Sequence, residues 1–189
     1  MLIGITGTIG SGKSYIGKLI ESIGYKVYDS DDFVKEAYQN NQILQLLEEE
    51  FECFNNGVFD KTKLKEILIK DKKNIDKLNY IIHPYVIRRI KETSNTDEFV
   101  FVQIPLLFEC NLEFICDATI CVNVDNKLKE TRLLNRDKKN YEFIKYLESL
   151  QFTQEKKSLL ADFIVVNDCD DETLIKRLQS IIDKIKKIL

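Results

Sequence analysis

One histidine, His83, stands in the whole 189-residue chain, and that scarcity excludes much. A multi-histidine metal site is impossible, and any Ser/His/Asp scheme would have to use this single imidazole. No C-x-x-C pair occurs among Cys53, Cys110, Cys116, Cys121 and Cys169, and their number is odd. They read as small apolar residues, not as a disulfide framework or a zinc site. No apolar run is long enough to span a bilayer. The Gly-rich turn that begins at Gly7 would be lost with a cleaved leader, so a reducing cytoplasm is the expected compartment. The formal net charge is only −3, which gives no bulk field favouring nucleic acid or an anionic membrane. No internal repeat and no low-complexity linker is present. A guanine-reading N-K-x-D is absent as well, which speaks against a GTPase switch.

What is present suits one α/β domain with a core of its own, since 44% of residues are hydrophobic and 31% charged. Residues 2–6 form a β-rich run that stops at Gly7. A helical pattern follows from Lys13 to about Ser22, with Ile16, Leu19, Ile20 and Ile23 at helical spacing and Gly24 as a C-cap. Residues 25–29 read as a second strand. From Asp32 to about Thr93 the chain is charged and helical, with a turn between helices at Asn55-Asn56-Gly57. Pro84 is expected to interrupt this stretch, and a further helix to run over 85–92. The runs 98–104, 118–124 and 163–166 read as strands buried on both faces, linked by helices. Five strands alternating with helices predict a parallel five-stranded sheet flanked by helices. The apolar face of 171–189 predicts a last helix docked on that sheet.

Gly7-Thr8-Ile9-Gly10-Ser11-Gly12-Lys13-Ser14 fits G-x-x-x-x-G-K-[ST] between a strand and a helix, the context this phosphate-loop motif requires. Glycines let the backbone curl so that successive N–H groups face a phosphate chain. The helix N-terminus adds partial positive charge. Lys13 reaches the β- and γ-phosphates, and the Ser14 hydroxyl can coordinate Mg²⁺. ATP with Mg²⁺ is therefore the expected nucleotide.

Further features narrow the reaction. Asp29 and Asp31 flank Ser30 at the end of the second strand, where an extended backbone would turn both carboxylates to one face. There they could take a hydroxyl proton and hold Mg²⁺ through water; a polar loop with a helix cap is the plainer alternative. Pro105-Leu106-Leu107-Phe108-Glu109 follows the buried third strand. Arg132 and Arg136 lie four apart, so one helical face carries both. The stretch 137–157 continues polar and helical, as a mobile lid would. Gln151, Lys157, Ala161-Asp162 and Asn167 complete the series, with Asn167 at the end of the last strand.

The phosphate loop, the D-x-D, His83-Pro84, the 105–109 run, Arg136, the Gln151 to Lys157 spacing and the 161–167 stretch together resemble the dephospho-coenzyme A kinase family over nearly the whole chain. The resemblance implies a P-loop kinase core (about 1–31, 96–135 and 160–189), a helical substrate subdomain (about 32–95) and a lid (about 136–159). It implies ATP-dependent phosphorylation of the 3′-hydroxyl of the dephospho-coenzyme A ribose. By position, Asp31 would be the base, with Lys13 and Arg136 stabilising the transferring phosphoryl group. Residues 7–14 and Asn167 would bind the nucleotide; Asp29, His83, Pro105, Leu106 and Glu109 would lie at the acceptor. The chain departs from many members in having Thr8 where glycine is common, and Leu147 and Glu148 where an arginine precedes the lid glutamine. A nucleoside monophosphate or shikimate-type kinase shares the loop and lid, and a nucleotide-binding module without transfer is the rival from another class.

Overall fold

Why the central strands carry no polar alternation becomes plain in the computed structural model, which describes residues 1–94, 99–136 and 141–188, apart from the side chains of Lys72, Arg136 and Phe143. Strand β1 (Leu2–Thr6) is buried at every residue, because it pairs on both sides and is covered on both faces. Helix α1 (Lys13–Ser22) follows, then strand β2 (Lys26–Asp29). After Ser30–Thr93 come strand β5 (Val100–Gln103), a 3-10 turn at Glu113–Ile115, strand β6 (Ala118–Asn123), helices α6 (Asn126–Arg136), α7 (Tyr141–Ser149) and α8 (Gln154–Leu160), strand β7 (Phe163–Val166) and helix α9 (Asp171–Ile188). The sheet order is β2-β5-β1-β6-β7, and every pairing is parallel. The five-stranded parallel sheet expected from the sequence is thus present.

The chain divides into two compact units, Met1–Asp29 with Ser94–Leu189, and Ser30–Thr93. In the first, Ile3, Ile5, Phe101, Ile120, Val122 and Val165 of the sheet pack with Ile16 and Ile20 of α1 and with α9. On α9, Leu174, Leu178, Ile181, Ile182 and Ile185 make one buried stripe at helical spacing. Each such leucine or isoleucine contributes about 1.5–3 kcal/mol by leaving water. Asp171 and Glu172 at its start and Lys186 and Lys187 at its end complement the helix dipole. At the other sheet edge, the Asp162 carboxylate accepts from Thr119 N–H (2.8 Å) and the Thr119 hydroxyl (2.7 Å), which fixes where β7 joins β6.

The second unit is helical: α2 (Ser30–Ala37), α3 (Asn41–Glu50), α4 (Lys61–Lys70) and α5 (Lys72–Thr93). Asn40 and Asp60 cap α3 and α4 through their side-chain oxygens. Phe33, Ile43, Leu47, Leu64, Ile82, Val86 and Ile90 are buried. Two local expectations change. The turn at Asn56 and Gly57 does not simply join helices; it closes a small hairpin of β3 (Phe54–Asn55) and β4 (Val58–Phe59), both turn residues having positive φ (49° and 77°) as a type I′ turn requires. Pro84 does not break its helix either, for α5 runs straight through it. Proline removes a donor to the carbonyl of Tyr80, but Pro84 is exposed and Tyr80 is 84% exposed, so that carbonyl lies on a face where water can bond to it. Among the described residues, no helix is long and apolar enough to cross a membrane.

Candidate active site

Parallel strands deliver Thr6, Asp29, Gln103, Asn123 and Val166 to one edge of the sheet. Because the chain leaves β1 toward β2 on one side and β6 lies on the other, the end of β1 is a topological switch point, where such sheets bind ligands. The loop that starts there is Gly7 to Gly12. Ser11 N–H donates to the Thr8 carbonyl (3.1 Å), which closes the curl. Gly12 is the N-cap of α1 with φ +94°, and no side chain caps the helix start. A helix start without a side-chain cap is the arrangement that draws an anion. The Lys13 ammonium folds back across the curl and donates to the carbonyls of Gly7 (2.8 Å) and Thr8 (3.1 Å).

The side chains around this curl are incompletely bonded. Among the described residues, the buried side-chain nitrogens and oxygens lacking any hydrogen-bond partner are Thr8 Oγ1, Ser11 Oγ, Arg132 Nη1 and Asn167 Oδ1. All four cluster at the phosphate loop. Asn167 is 1% exposed, and its Nδ2 donates to the Ser11 carbonyl (2.8 Å). Arg132 Nη2 donates to the Asn167 carbonyl (3.4 Å). An orphaned buried polar atom costs about 1–3 kcal/mol, so four together mark a place built for a polar ligand. On the neighbouring surface the Tyr15 hydroxyl donates to the Asp171 carboxylate, which raises the tyrosine pKa.

The α7–α8 segment closes one side. Gln151 Oε1 accepts from Ile9 N–H (3.3 Å). Gln154 pairs twice with Val124, accepting from its N–H (2.9 Å) and donating to its carbonyl (3.1 Å). Lys157 is fully buried and donates to the Pro105 carbonyl (2.6 Å) and to Glu109 (2.9 Å). Glu109 also accepts from Phe152 N–H (2.8 Å). Lys129, packed under Gly10, bonds to Glu148 (2.6 Å). Burial pushes the Glu148 carboxyl up, but the bond and charge of Lys129, with Lys145, outweigh this and hold it below the usual range.

The other residues predicted from sequence fall in different places. Asp29 ends β2, paired with Gln103 on the ligand edge of the sheet. Asp31 is in the first turn of α2, in the second unit, so the D-x-D crosses from strand to helix and the extended-strand alternation does not apply to it. Two acidic residues there, Asp31 and Asp32, suit the positive end of the helix. His83 is half-buried within α5 of the second unit, where burial lowers its pKa. Pro105 is half-buried and Leu106 is 41% exposed, both in the turn after β5. Arg136 is the last residue of α6, and its side chain lies outside the described residues, as do residues 137–140 of the expected lid. Burial raises the pKa of all five thiols, Cys116 to about 12, and all five are free and buried or half-buried, as the sequence suggested.

Sequence reasoning missed how tightly Arg132 belongs to this site. Its signal was the four-residue spacing to Arg136, but only the return of Asn167 shows that Arg132 lies against the loop. For a metal, no group of three or more His, Cys, Asp or Glu side chains stands ready among the described residues. The exposed Ser14 hydroxyl is an oxygen donor of the kind that a hard Mg²⁺ ion accepts.

A parallel α/β sheet, a phosphate-binding curl at its switch point and a helical segment folded over that curl define the P-loop kinase class. A sequence model of dephospho-CoA kinase matches residues 1–172. The dephospho-CoA kinase of Fusobacterium nucleatum is 35% identical over 95% of each chain, and that of Bartonella quintana 33% over 98% of each. A crystal structure from Thermus thermophilus superposes with a TM-score of 0.83 at 30% identity, covering 97% of both chains. The shikimate kinase of Bacteroides thetaiotaomicron, 17% identical with a TM-score of 0.56 over 97% of this chain and 98% of its own, shares the fold. The chain belongs to the dephospho-CoA kinase family.

Proposed function

We propose that the protein transfers the γ-phosphoryl group of ATP to the 3′-hydroxyl of the dephospho-CoA ribose, giving coenzyme A and ADP, the final step of coenzyme A synthesis, in the cytoplasm. The observation that carries the nucleotide half is the cluster of four orphaned polar atoms beside an uncapped helix N-terminus. In this reading the main chain of residues 7–14 holds the phosphates, Lys13 turns from the Gly7 and Thr8 carbonyls to the β- and γ-phosphates, and Asn167 with Arg132 receives the base. The acceptor oxygen bonds to phosphorus as the bond to the ADP oxygen breaks, and the hydroxyl proton passes to Asp31. Arg136 and Lys13 neutralise the charge on the phosphoryl oxygens. Because that transition state is loose, positioning and charge outweigh deprotonation. Mg²⁺, bound through Ser14, would supply further neutralisation of the phosphates. Asp29, His83, Pro105, Leu106 and Glu109 are assigned to the acceptor side. The modest net charge, −3, favours no nucleic-acid or membrane partner in this role.

The test is incubation with ATP, Mg²⁺ and dephospho-CoA, followed by mass analysis. One added phosphate on the acceptor is expected, with no turnover of shikimate or nucleoside monophosphates. Turnover of one of those instead would replace the assigned acceptor.

A further inference from the structure

Among the described residues, Lys157 is the charged side chain with no exposed surface, and no step of the proposed reaction uses it. A lone ammonium in that position would be strongly unfavourable, and a lysine–glutamate pair offers little stability over an apolar pair of equal volume. What distinguishes this pair is what it joins. The Lys157 ammonium reaches the Pro105 carbonyl (2.6 Å), both Glu109 oxygens (2.9 and 3.0 Å) and the Thr6 hydroxyl (3.5 Å), which itself donates to the Pro105 carbonyl (3.3 Å). Glu109 in turn fixes Phe152 N–H (2.8 Å), and the preceding residue, Gln151, accepts from Ile9 N–H in the phosphate loop (3.3 Å). One buried ion pair thus closes a circuit through the end of β1, the turn after β5, the α7–α8 connection and the phosphate loop. None of these groups lies in the apolar core between sheet and helices.

We propose that Lys157 is a positioning residue: with Glu109 it fastens the α7–α8 connection so that Gln151 stays on the phosphate loop, and this closure decides whether the γ-phosphoryl group reaches the acceptor hydroxyl or water. The inference rests on the kinase reading above. Water is the competing acceptor in any such site, and a closed segment excludes it. A misplacement of about 1 Å at a transfer centre can cost about 100-fold in rate.

The experiment compares the parent chain, Lys157→Met and Gln151→Met, each with Mg²⁺ and ATP, measuring phosphate released to water and phosphate added to dephospho-CoA. Lys157→Met should slow transfer by about 100-fold while hydrolysis holds or rises, so the ratio of hydrolysis to transfer climbs at least about 100-fold. Gln151→Met, which removes only the contact to Ile9, should shift that ratio the same way by a smaller factor. Thermal melting checks folding, and should Lys157→Met not fold, Gln151→Met carries the decision. A ratio unchanged in the folded variants, with transfer and hydrolysis falling together or not at all, overturns the proposal. A parent chain that transfers nothing to dephospho-CoA removes the kinase reading itself, and this inference with it.

Discussion

Replacing Gly12 with alanine puts the phosphate loop's construction to a quantitative test. At φ +94°, an L side chain pays about 1–2 kcal/mol for the left-handed backbone. Space adds to this, because a Cβ at Gly12 would sit 2.1 Å from Asn167 Nδ2 and 3.7 Å from Arg132 Nη1. The Asn167 amide must retreat and give up its 2.8 Å bond to the Ser11 carbonyl, leaving a buried acceptor unpaired at about 1–3 kcal/mol. The two terms together predict a loss of about 2–5 kcal/mol, or roughly 10 °C in melting temperature for a chain of this size. Thermal melting followed by circular dichroism reads the first number. A double-mutant cycle with Asn167→Ala reads the second: removing the obstructing amide should make the double variant less destabilised than the sum by about 1 kcal/mol or more. Strict additivity, or a Gly12→Ala melting point within about 2 °C of the parent, would refute the claim that Asn167 is wedged against the loop.

Two further outcomes follow from the same structure. Asp31→Asn should reduce turnover by about 100- to 10,000-fold with ATP affinity retained in calorimetry, and undiminished turnover would remove Asp31 as proton acceptor. Burial lowers the His83 pKa, so the folded chain resists a proton that the unfolded chain accepts below about pH 6.5. Stability should therefore be full above that pH and decline as pH drops toward the lower, folded-state value; His83→Gln should flatten this part of the urea-unfolding profile, and an unaltered slope would show that His83 is not its source.

Legibility from sequence tracked how far apart the interacting residues lie along the chain. The strand, curl and helix of residues 2–22 were readable because their determinants are neighbours: an apolar run, glycines with positive φ, and a helix whose buried residues recur every three or four positions. The same holds for α9, whose expected apolar face is the buried one. Local signals mislead where tertiary context decides: Pro84 reads as a break, yet it sits on an exposed face where its missing donor costs little, and Asp29-Ser30-Asp31 reads as extended although α2 already begins at Ser30.

By itself the sequence determined a nucleotide-binding loop on a parallel α/β sheet, because curl, strand period and helix stripe are encoded within a turn or two of backbone. Only the tertiary structure decided which distant groups complete that loop: Asn167 bonded to Ser11 across 156 positions, Gln151 to Ile9 across 142, and Lys157 to Glu109 across 48. Those pairings depend on the order of strands in the sheet. A hydrogen bond or ion pair gains its energy from a separation of about 3 Å, and nothing in the spacing along a chain fixes that distance until the strands have taken their places.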